Sequence, residues 1–125
     1  MSDISIKAMA HQMAAHAAAR QAQIARNVAN ADTPGYRSTD IPDFADIVSP
    51  NVAMKATRPG HIGATTSVGT AKIVDRGGEA SPNGNNVSLE IEMMRGAEAK
   101  QAHDMALSIY SSARDILTSA LGKNR

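Results

Sequence analysis

The longest uninterrupted feature of the sequence is residues 3–31, a stretch without glycine or proline that is followed closely by Pro34 and Gly35. The stretch is rich in alanine, the residue with the highest helix propensity. Proline lacks a backbone N–H donor and disfavours helical geometry in the residue before it. A proline–glycine pair also suits the central positions of a type II turn, where the second residue needs a positive φ. Residues 3–31 are therefore predicted to form one long helix that ends in a tight turn.

The apolar residues of this first helix form a narrow stripe of mostly small side chains. They lie largely three, four or seven residues apart, as in helices that pack side by side. They are Ile6, Ala10, Met13, Ala17, Ile24, Val28 and Ala31. Because so thin a stripe leaves an isolated helix marginal in water, a second helix is expected beside it.

A second long helix is predicted for residues 87–121. Asn86 or Ser88 is a candidate for its N-terminal cap, and Gly96 is its one interior residue of poor helix propensity. Its apolar positions form a wider face, which indicates contact with more than one other helix. They include Ala102, Met105, Leu107, Ile109, Tyr110, Ala113, Ile116, Leu117, Ala120 and Leu121.

The residues between these helices, 38–82, hold most of the prolines and more than half of the glycines. A short helix is predicted for 42–48, and weak strands for 62–68 and 71–75. The rest of 49–82 is interpreted as extended loop, which is typical of a segment that lies on neighbouring subunits.

The predicted fold class is therefore mainly α, with two long terminal helices packed side by side in a coiled-coil-like manner. The middle segment is expected to be irregular, extended or weakly β. We expect three parts: an N-terminal helix and turn (1–37), an irregular projecting segment (38–82) and a C-terminal helix (83–125).

Composition excludes several classes of protein. Thirteen basic and twelve acidic residues give a net charge of +1 with no basic stripe, which argues against nucleic-acid binding. The absence of cysteine excludes disulfides and thiolate chemistry. No run of about 18 apolar residues predicts a membrane span, and the N-terminus does not resemble a cleaved signal peptide. We expect a cytosolic protein, or one exported without a cleaved signal.

No pattern in the sequence predicts a catalytic residue, a cofactor-binding residue or a metal ligand. His11 and His16 are five residues apart, which places them about 140° from each other around a helix. His103 is likewise interpreted as an ordinary surface or interface residue. Other polar features are interpreted structurally: a solvated helix face for Glu90, Glu92 and Glu98, and a flexible turn for residues 76–79.

The most specific local feature is the run N-V-A-N-A-D-T-P-G-Y-R at residues 27–37. Asn27 and Asn30 are three residues apart, so they lie on one face of the helix. Because asparagine is a poor interior helix former, both side chains are expected to hydrogen-bond to the turn or to a packed neighbour.

Residues 27–36 closely resemble the N-terminal rod motif of the flagellar axial proteins, N-I/V-A-N-A-x-T-P-G-Y. The matching site residues are Asn27, Asn30, Ala31, Thr33, Pro34, Gly35 and Tyr36. A second segment resembles the pattern D-G-N-x-V-D-x-E of the FlgB-type rod proteins through Gly84, Asn85, Val87 and Glu90. Asn83 and Ser88 stand where that family usually has aspartate. The second motif and the short length favour the FlgB type over the neighbouring FlgC type.

This resemblance implies a non-catalytic subunit of the flagellar basal-body rod that polymerises through its terminal helices into the proximal rod. The implied partners are further copies of the chain, FlgC-type rod proteins, a FliE-type adaptor at the membrane ring and the flagellar export apparatus. The implied location is the periplasm-spanning rod, reached without a cleaved signal peptide. The residues predicted to pack in the assembly are Met13, Ile24, Val28, Ile91, Met105, Ile109, Ile116 and Leu117.

Two other classes of function remain open at this point. A cytosolic helical adaptor or coiled-coil module would also show amphipathic helices. A small helical enzyme or metal binder would use His103 or His11 and would carry stoichiometric metal.

Overall fold

The computed structural model describes residues 2–48 and 73–122, with side chains from residue 6 onward. The described elements are α1 (Ser2–Ala29), β1 (Thr39–Asp40), α2 (Phe44–Val48), β2 (Val74–Asp75) and α3 (Leu89–Gly122). The prediction of a mainly α protein with two long terminal helices is confirmed. No helix within the described ranges is both long enough and apolar enough to cross a membrane.

The two long helices, α1 and α3, pack side by side and antiparallel. Asn27 meets Glu92 at one end of the pair, and the Lys7 ammonium lies 5.3 Å from the centre of the Tyr110 ring at the other. With 28 and 34 residues, α1 and α3 are about 42 Å and about 51 Å long. Since they are level at the Asn27 end, α3 extends beyond the start of α1.

The seam between α1 and α3 repeats every seven residues, as in a coiled coil. Its buried positions are Ala10, Ala17 and Ile24 on α1, and Glu92, Ala99, Ala106 and Ala113 on α3. Gly96 also faces this seam, because a Cβ at this position would lie 3.9 Å from Ile24 Cγ2. Alanine and glycine let the helix backbones approach closely, but they bury little apolar surface.

The turn that ends α1 follows the predicted geometry. The Tyr36 N–H donates to the Thr33 carbonyl over 3.2 Å, and Gly35 has a φ of 74°. Pro34 and Gly35 are therefore the central residues of a four-residue turn, with the positive φ at the second of them.

The middle segment adds a short helix and one two-stranded ladder. α2 lies within the predicted range 42–48, and β2 within the predicted range 71–75. β2 pairs antiparallel with β1, with Thr39 opposite Asp75. A two-residue strand such as β1 is too short to show a sequence period, so it was not predicted. The strand predicted at 62–68 lies outside the described residues.

Candidate functional site: the junction between the helix ends

The end of α1, the turn after it, both short strands and the start of α3 meet in one buried polar region, which we call the junction. Its principal side chains are Asn27, Asn30, Tyr36, Asp40, Arg76, Asn85, Asn86 and Glu92. Buried polar groups are costly unless they are hydrogen-bonded, so the partners of each side chain determine what the region does.

Asn27 lies at the centre of the junction and is fully buried. Its side-chain oxygen accepts hydrogen bonds from the Tyr36 hydroxyl (3.1 Å) and the Thr39 N–H (3.3 Å). Its side-chain nitrogen donates to the Thr39 carbonyl (2.8 Å) and to Glu92 Oε2 (3.2 Å). These four bonds use the full capacity of the amide. Asn27 therefore ties α1 to β1 and to the first turn of α3.

Two asparagine side chains satisfy carbonyls at the end of α1 and in the turn after it. Asn30 Nδ2 donates to the Arg26 carbonyl over 2.8 Å, and the Thr33 hydroxyl donates to Asn30 Oδ1 over 3.1 Å. Asn85 Nδ2 donates to the Asn30 and Thr33 carbonyls, both over 2.8 Å. Because the final carbonyls of a helix lack partners within it, Asn30 of the first motif caps α1, and Asn85 of the second motif binds the turn that follows α1.

The turns of the two motifs also touch through glycine backbone. The Gly35 N–H donates to the Asn83 carbonyl over 2.9 Å. Gly84 has a φ of 84°, and a Cβ added to it would lie 3.2 Å from the Gly35 Cα. Gly84 is therefore required both by backbone conformation and by the close approach of the two turns.

Glu92 corrects one interpretation drawn from the sequence. It does not belong to a solvated face, because its side chain is fully buried at a seam position of α3. Its carboxylate accepts a hydrogen bond from Asn27 and forms an ion pair with Arg76, whose Nη1 lies 2.5 Å from Oε1. Arg76 is accordingly largely buried, and its backbone N–H donates to the Ser38 carbonyl over 3.1 Å. The start of the predicted flexible turn is thus anchored.

Asp40, at the end of β1, forms ion pairs with three arginines, which come from α1, from the loop after β2 and from α3. Its carboxylate lies 3.4 Å from Arg20 Nε and 3.6 Å from Arg76 Nη2, and it accepts a hydrogen bond from Arg95. Arg20 also reaches the exposed Asp43 over 3.0 Å. Removing a buried carboxylate from such a group leaves guanidinium charge without compensation, which is strongly destabilising. Asp40 thereby holds the middle segment to both long helices.

Asn86 links the middle segment to the approach to α3 and does not cap that helix. Its Oδ1 accepts from the Ser38 N–H over 2.6 Å, and its Nδ2 donates to the Gly77 carbonyl over 2.9 Å. The cap position belongs to the other candidate, Ser88, whose carbonyl accepts from the Glu92 N–H over 2.9 Å.

The predicted motif residues are mostly brought together at the junction. Asn27, Asn30, Thr33, Gly35, Tyr36, Gly84 and Asn85 contribute the bonds and close approaches described above, and the Val87 N–H donates to Asn85 Oδ1 over 2.8 Å. Ala31 is half-buried beside them, Pro34 is exposed within the turn, and Glu90 is exposed outside the network.

The predicted packing residues are distributed differently. Ile24 is buried, and Met13 and Leu117 are half-buried. The others are exposed on the single chain: Val28, Ile91, Met105, Ile109 and Ile116. Their role in packing between subunits stays a prediction.

Two exposed carboxylates have perturbed acidity. The Gly77 N–H donates to Asp75 Oδ1 over 2.7 Å and lowers the pKa of that carboxyl, an effect to which the nearby Arg37 adds. The pKa of Asp104 is lowered by its hydrogen bond from Lys100, one helical turn earlier, over 2.8 Å. Both groups lie on the surface, where such pairs contribute little to stability.

The histidines do not assemble into a reactive group in the described part of the chain. His16 Nε2 lies 2.7 Å from the Pro42 carbonyl, and its ring packs against Phe44. His11 is exposed, and His103 is half-buried with Nδ1 4.0 Å from Asp104 Oδ1. Within residues 2–48 and 73–122, no three His, Asp or Glu side chains lie close enough together to hold a metal ion.

The amino-acid sequence was compared with those of known proteins, and the part that forms α1 and the turn after it matches a known family. The family model described as "Flagella basal body rod protein" matches residues 9–37, which include the last three quarters of α1 and the turn after it. This part of the chain is therefore similar to the class of flagellar basal body rod proteins.

Comparison with individual relatives shows which type of rod protein this chain resembles. The chain is 35% identical over 106 residues to the flagellar basal body rod protein FlgB of Escherichia coli strain K12, covering 75% of this chain and 76% of that protein. It is 32% identical over 110 residues to FlgB of Salmonella typhimurium, with 76% and 77% covered. It is 29% identical over 119 residues to FlgB of Agrobacterium fabrum, with 90% and 89% covered. The chain belongs to the FlgB family of flagellar basal body rod proteins.

Proposed function

We propose that this chain polymerises through α1 and α3 to form the proximal part of the flagellar rod, and that it has no catalytic activity. In this proposal residues 1–37 and 83–125 form an inner helical layer of the rod, and residues 38–82 project from it. The junction sets the angle between the layer and the projecting segment.

The observation that carries the proposal is the inverted distribution of apolar side chains. The seam between α1 and α3 is filled mainly by alanine, whereas large apolar residues of α3 face outward. Met93, Leu121 and Ile116 are 74%, 71% and 61% exposed. Contiguous exposed apolar surface marks a site of association, and the exposed Met105, Ile109 and Ile116 are four and seven residues apart on one side of α3. Polymerisation would bury these residues.

The proposed partners are further copies of this chain, FlgC-type rod proteins, a FliE-type adaptor at the membrane ring and the flagellar export apparatus. Membership of the rod family supports association with other rod components. We further propose that the chain reaches the periplasm-spanning rod through the flagellar export apparatus without a cleaved signal peptide.

The test is co-purification with the basal body. A tagged full chain that replaces the native copy is expected to restore swimming and to appear in isolated hook–basal bodies. Cells that lack the gene should assemble the membrane ring without a rod. A chain that supports motility but stays in the cytosol would contradict the proposal and support a helical adaptor instead. Stoichiometric bound metal would support the metal-binder alternative.

A further inference from the structure

A groove runs along one side of the α1–α3 pair, and its course follows from the seven-residue repeat. Positions seven apart face the same way on helices that pack in coiled-coil fashion. On α1 two such columns border the seam: Ile6, Met13, Arg20 and Asn27, and beside them Met9, His16 and Gln23. On α3 the corresponding columns are Arg95, Ala102, Ile109 and Ile116, and beside them Ile91, Glu98, Met105 and Ser112.

Contacts with the middle segment show that these columns face the same side of the pair. Arg20 and Arg95, from the two helices, both reach Asp40. His16 contacts the Pro42 carbonyl, and Gln23 donates to the Thr39 hydroxyl. Apart from Ile91, the half of the groove nearest the junction is therefore polar, and residues 39–44 lie over it.

The other half of the groove is apolar, and the described residues leave it open. We call it the open groove; it consists of Ile6, Met9, Met13, Met105, Ile109 and Ile116. All but the half-buried Met13 are exposed, by 38% for Ile109 up to 61% for Ile116. These residues continue the same columns whose polar members bind the middle segment. The lining of the groove changes from polar to apolar side chains at the point where residues 39–44 no longer lie over it.

We propose that the open groove receives the outer face of α1 from a second copy of this chain. The proposal rests on the function proposed above and names the surfaces through which adjacent subunits pack. The occupant, which we call the alanine face, consists of Ala8, Ala15, Ala18, Ala22, Ala25 and Ala29, all of them exposed. Successive members are seven, three or four residues apart, the spacing of a coiled-coil seam.

Size and charge both favour this pairing. A helix face made of alanine lets its backbone come close to a groove lined by methionine and isoleucine, so that the large side chains fill the space. Two exposed carboxylates of α3 flank the open groove: Glu98 precedes Met105 by seven residues in the same column, and Asp115 is adjacent to Ile116. By contrast, α1 has no acidic residue between Asp3 and Asp32, and its outer side carries the exposed Arg26. Complementary charge of this kind fixes which faces meet.

The two surfaces lie on different sides of the pair, so one copy can use both at once. Ala18 follows His16 by two residues, which places it about 200° round α1 from the covered side. A contact between unlike surfaces repeats from copy to copy and produces a ring or a helix, as a rod requires.

Cysteine cross-linking tests the contact directly, because the native chain has no cysteine. The full chain carrying both Ile109→Cys and Ala18→Cys would be oxidised within isolated hook–basal bodies. We expect a ladder of disulfide-linked dimers and higher multimers on a non-reducing gel. A matched control replaces Ile109→Cys with Asp104→Cys, on the back of α3, and should yield none. Absence of the chain from the basal bodies would contradict the proposed function. Presence without a ladder would overturn this inference alone.

Labelling of the single variant Ile109→Cys with a maleimide distinguishes the possible occupants. We expect labelling in the dilute chain and protection in the assembled basal body. Protection already in the dilute chain would show that another part of the same chain covers the groove, and labelling in both states would show that nothing does. Either result would overturn the inference, as would protection without the cross-link.

A larger side chain on the alanine face provides a second test, in which incorporation into basal bodies is measured. Ala22→Leu is expected to lower incorporation into basal bodies about tenfold, because the larger side chain overpacks a close helix contact. Ala97→Leu, at an exposed position on α3, is the control and should incorporate normally. Normal incorporation of the Ala22→Leu chain would overturn the inference.

Discussion

At the residue scale, the junction depends on a few side chains and glycines whose roles cannot be exchanged. Asn27 makes four hydrogen bonds while fully buried. An aspartate in its place would lack the donors for the Thr39 carbonyl and Glu92, and a leucine would satisfy none of the four partners. The chemistry of the primary amide is therefore what the position requires.

Replacing Asn27 with alanine is expected to open the junction. The change removes the Asn27 partner of the Thr39 backbone groups, the Tyr36 hydroxyl and Glu92 Oε2, while Arg76 still pairs with Glu92 Oε1, and it is expected to cost about 2 kcal/mol or more. Hydrogen exchange of the amides in 36–40 and 85–92 should accelerate about 30-fold or more. Gln12→Ala, at an exposed position of the same helix, should leave exchange unchanged. Unaltered protection in the Asn27→Ala chain would show that the network is not cooperative.

Replacing Gly84 with alanine should lower the stability of the folded chain, whereas replacing Gly96 with alanine should raise it. Gly84→Ala places a Cβ 3.2 Å from the Gly35 Cα on a backbone with positive φ, and should cost about 1–3 kcal/mol. Gly96→Ala lies in a helix, where the new Cβ makes an ordinary 3.9 Å contact with Ile24, and should stabilise by up to about 1 kcal/mol. Protection of the amides in 33–36 and 84–87 against hydrogen exchange checks the first, and the midpoint of helix melting checks the second. A lower melting midpoint for the Gly96→Ala chain would contradict the packing described.

The surface carboxyl of Asp75 gives a prediction about pH. Its pKa is lowered from the ordinary 3.8, first by the Gly77 N–H and then by Arg37. The stabilisation is therefore present above pH 3.8 and is lost as pH falls through the lower folded-state pKa. A carboxyl-carbon NMR titration should give a midpoint below 3.8 that rises only partly with Arg37→Ala. A midpoint that returns fully to 3.8 in that variant would show that the charge of Arg37 is the main cause.

At the scale of elements, the seam between α1 and α3 is close because its residues are small. Ala17, Ala99 and Ala106 are almost completely buried, although each has only one methyl group. Seven-residue spacing alone would permit the helices to slide past each other by one heptad with similar alanine contacts. The bond between Asn27 and Glu92 breaks this degeneracy, because a buried polar pair is satisfied in one register. The junction thus sets the register of the hairpin as well as its end.

Widening the seam at one position should destabilise the pair of helices. Ala106→Leu introduces three carbon atoms at a fully buried position and is expected to cost about 1–3 kcal/mol. The midpoint of helix melting of the assembled rod, followed by circular dichroism, should fall relative to that of the rod formed by the native chain. Ala97→Leu changes side-chain size equally at an exposed position of the same helix and should have almost no effect. Equal midpoints for the two variants would contradict a close alanine seam.

At the scale of the whole molecule, the described residues of one chain bury little apolar surface. The α1–α3 pair has a polar end and a seam made mainly of alanine, and most of its large apolar side chains other than Ile24 face outward. Ordering 28 and 34 residues into two helices costs considerable conformational entropy, which alanine contacts offset poorly. Folding of the helices away from the junction is therefore expected to be completed by assembly.

The dilute full chain should accordingly show less helix than the assembled form. Far-UV circular dichroism at micromolar concentration is expected to report a partial helix signal with a broad thermal transition. Hydrogen exchange should be slow near the junction and fast toward both termini. A full two-helix signal that melts in one cooperative transition would contradict coupled folding and assembly.

Local patterns in the sequence determined the helices, the turn at 33–36 and the class of protein, because helix propensity and the positive φ of Gly35 act within a few residues of the chain. The buried roles of Asp40, Arg76 and Glu92 were missed, although one signal was available: Glu92 lies seven residues before Ala99. Only the tertiary structure decided which polar groups meet, because their partners are distant along the chain. Asn27 and Glu92 are 65 positions apart, and Asn85 and Asn30 are 55. A short-range pattern indicates that a side chain needs a partner, and the packing of the chain supplies it.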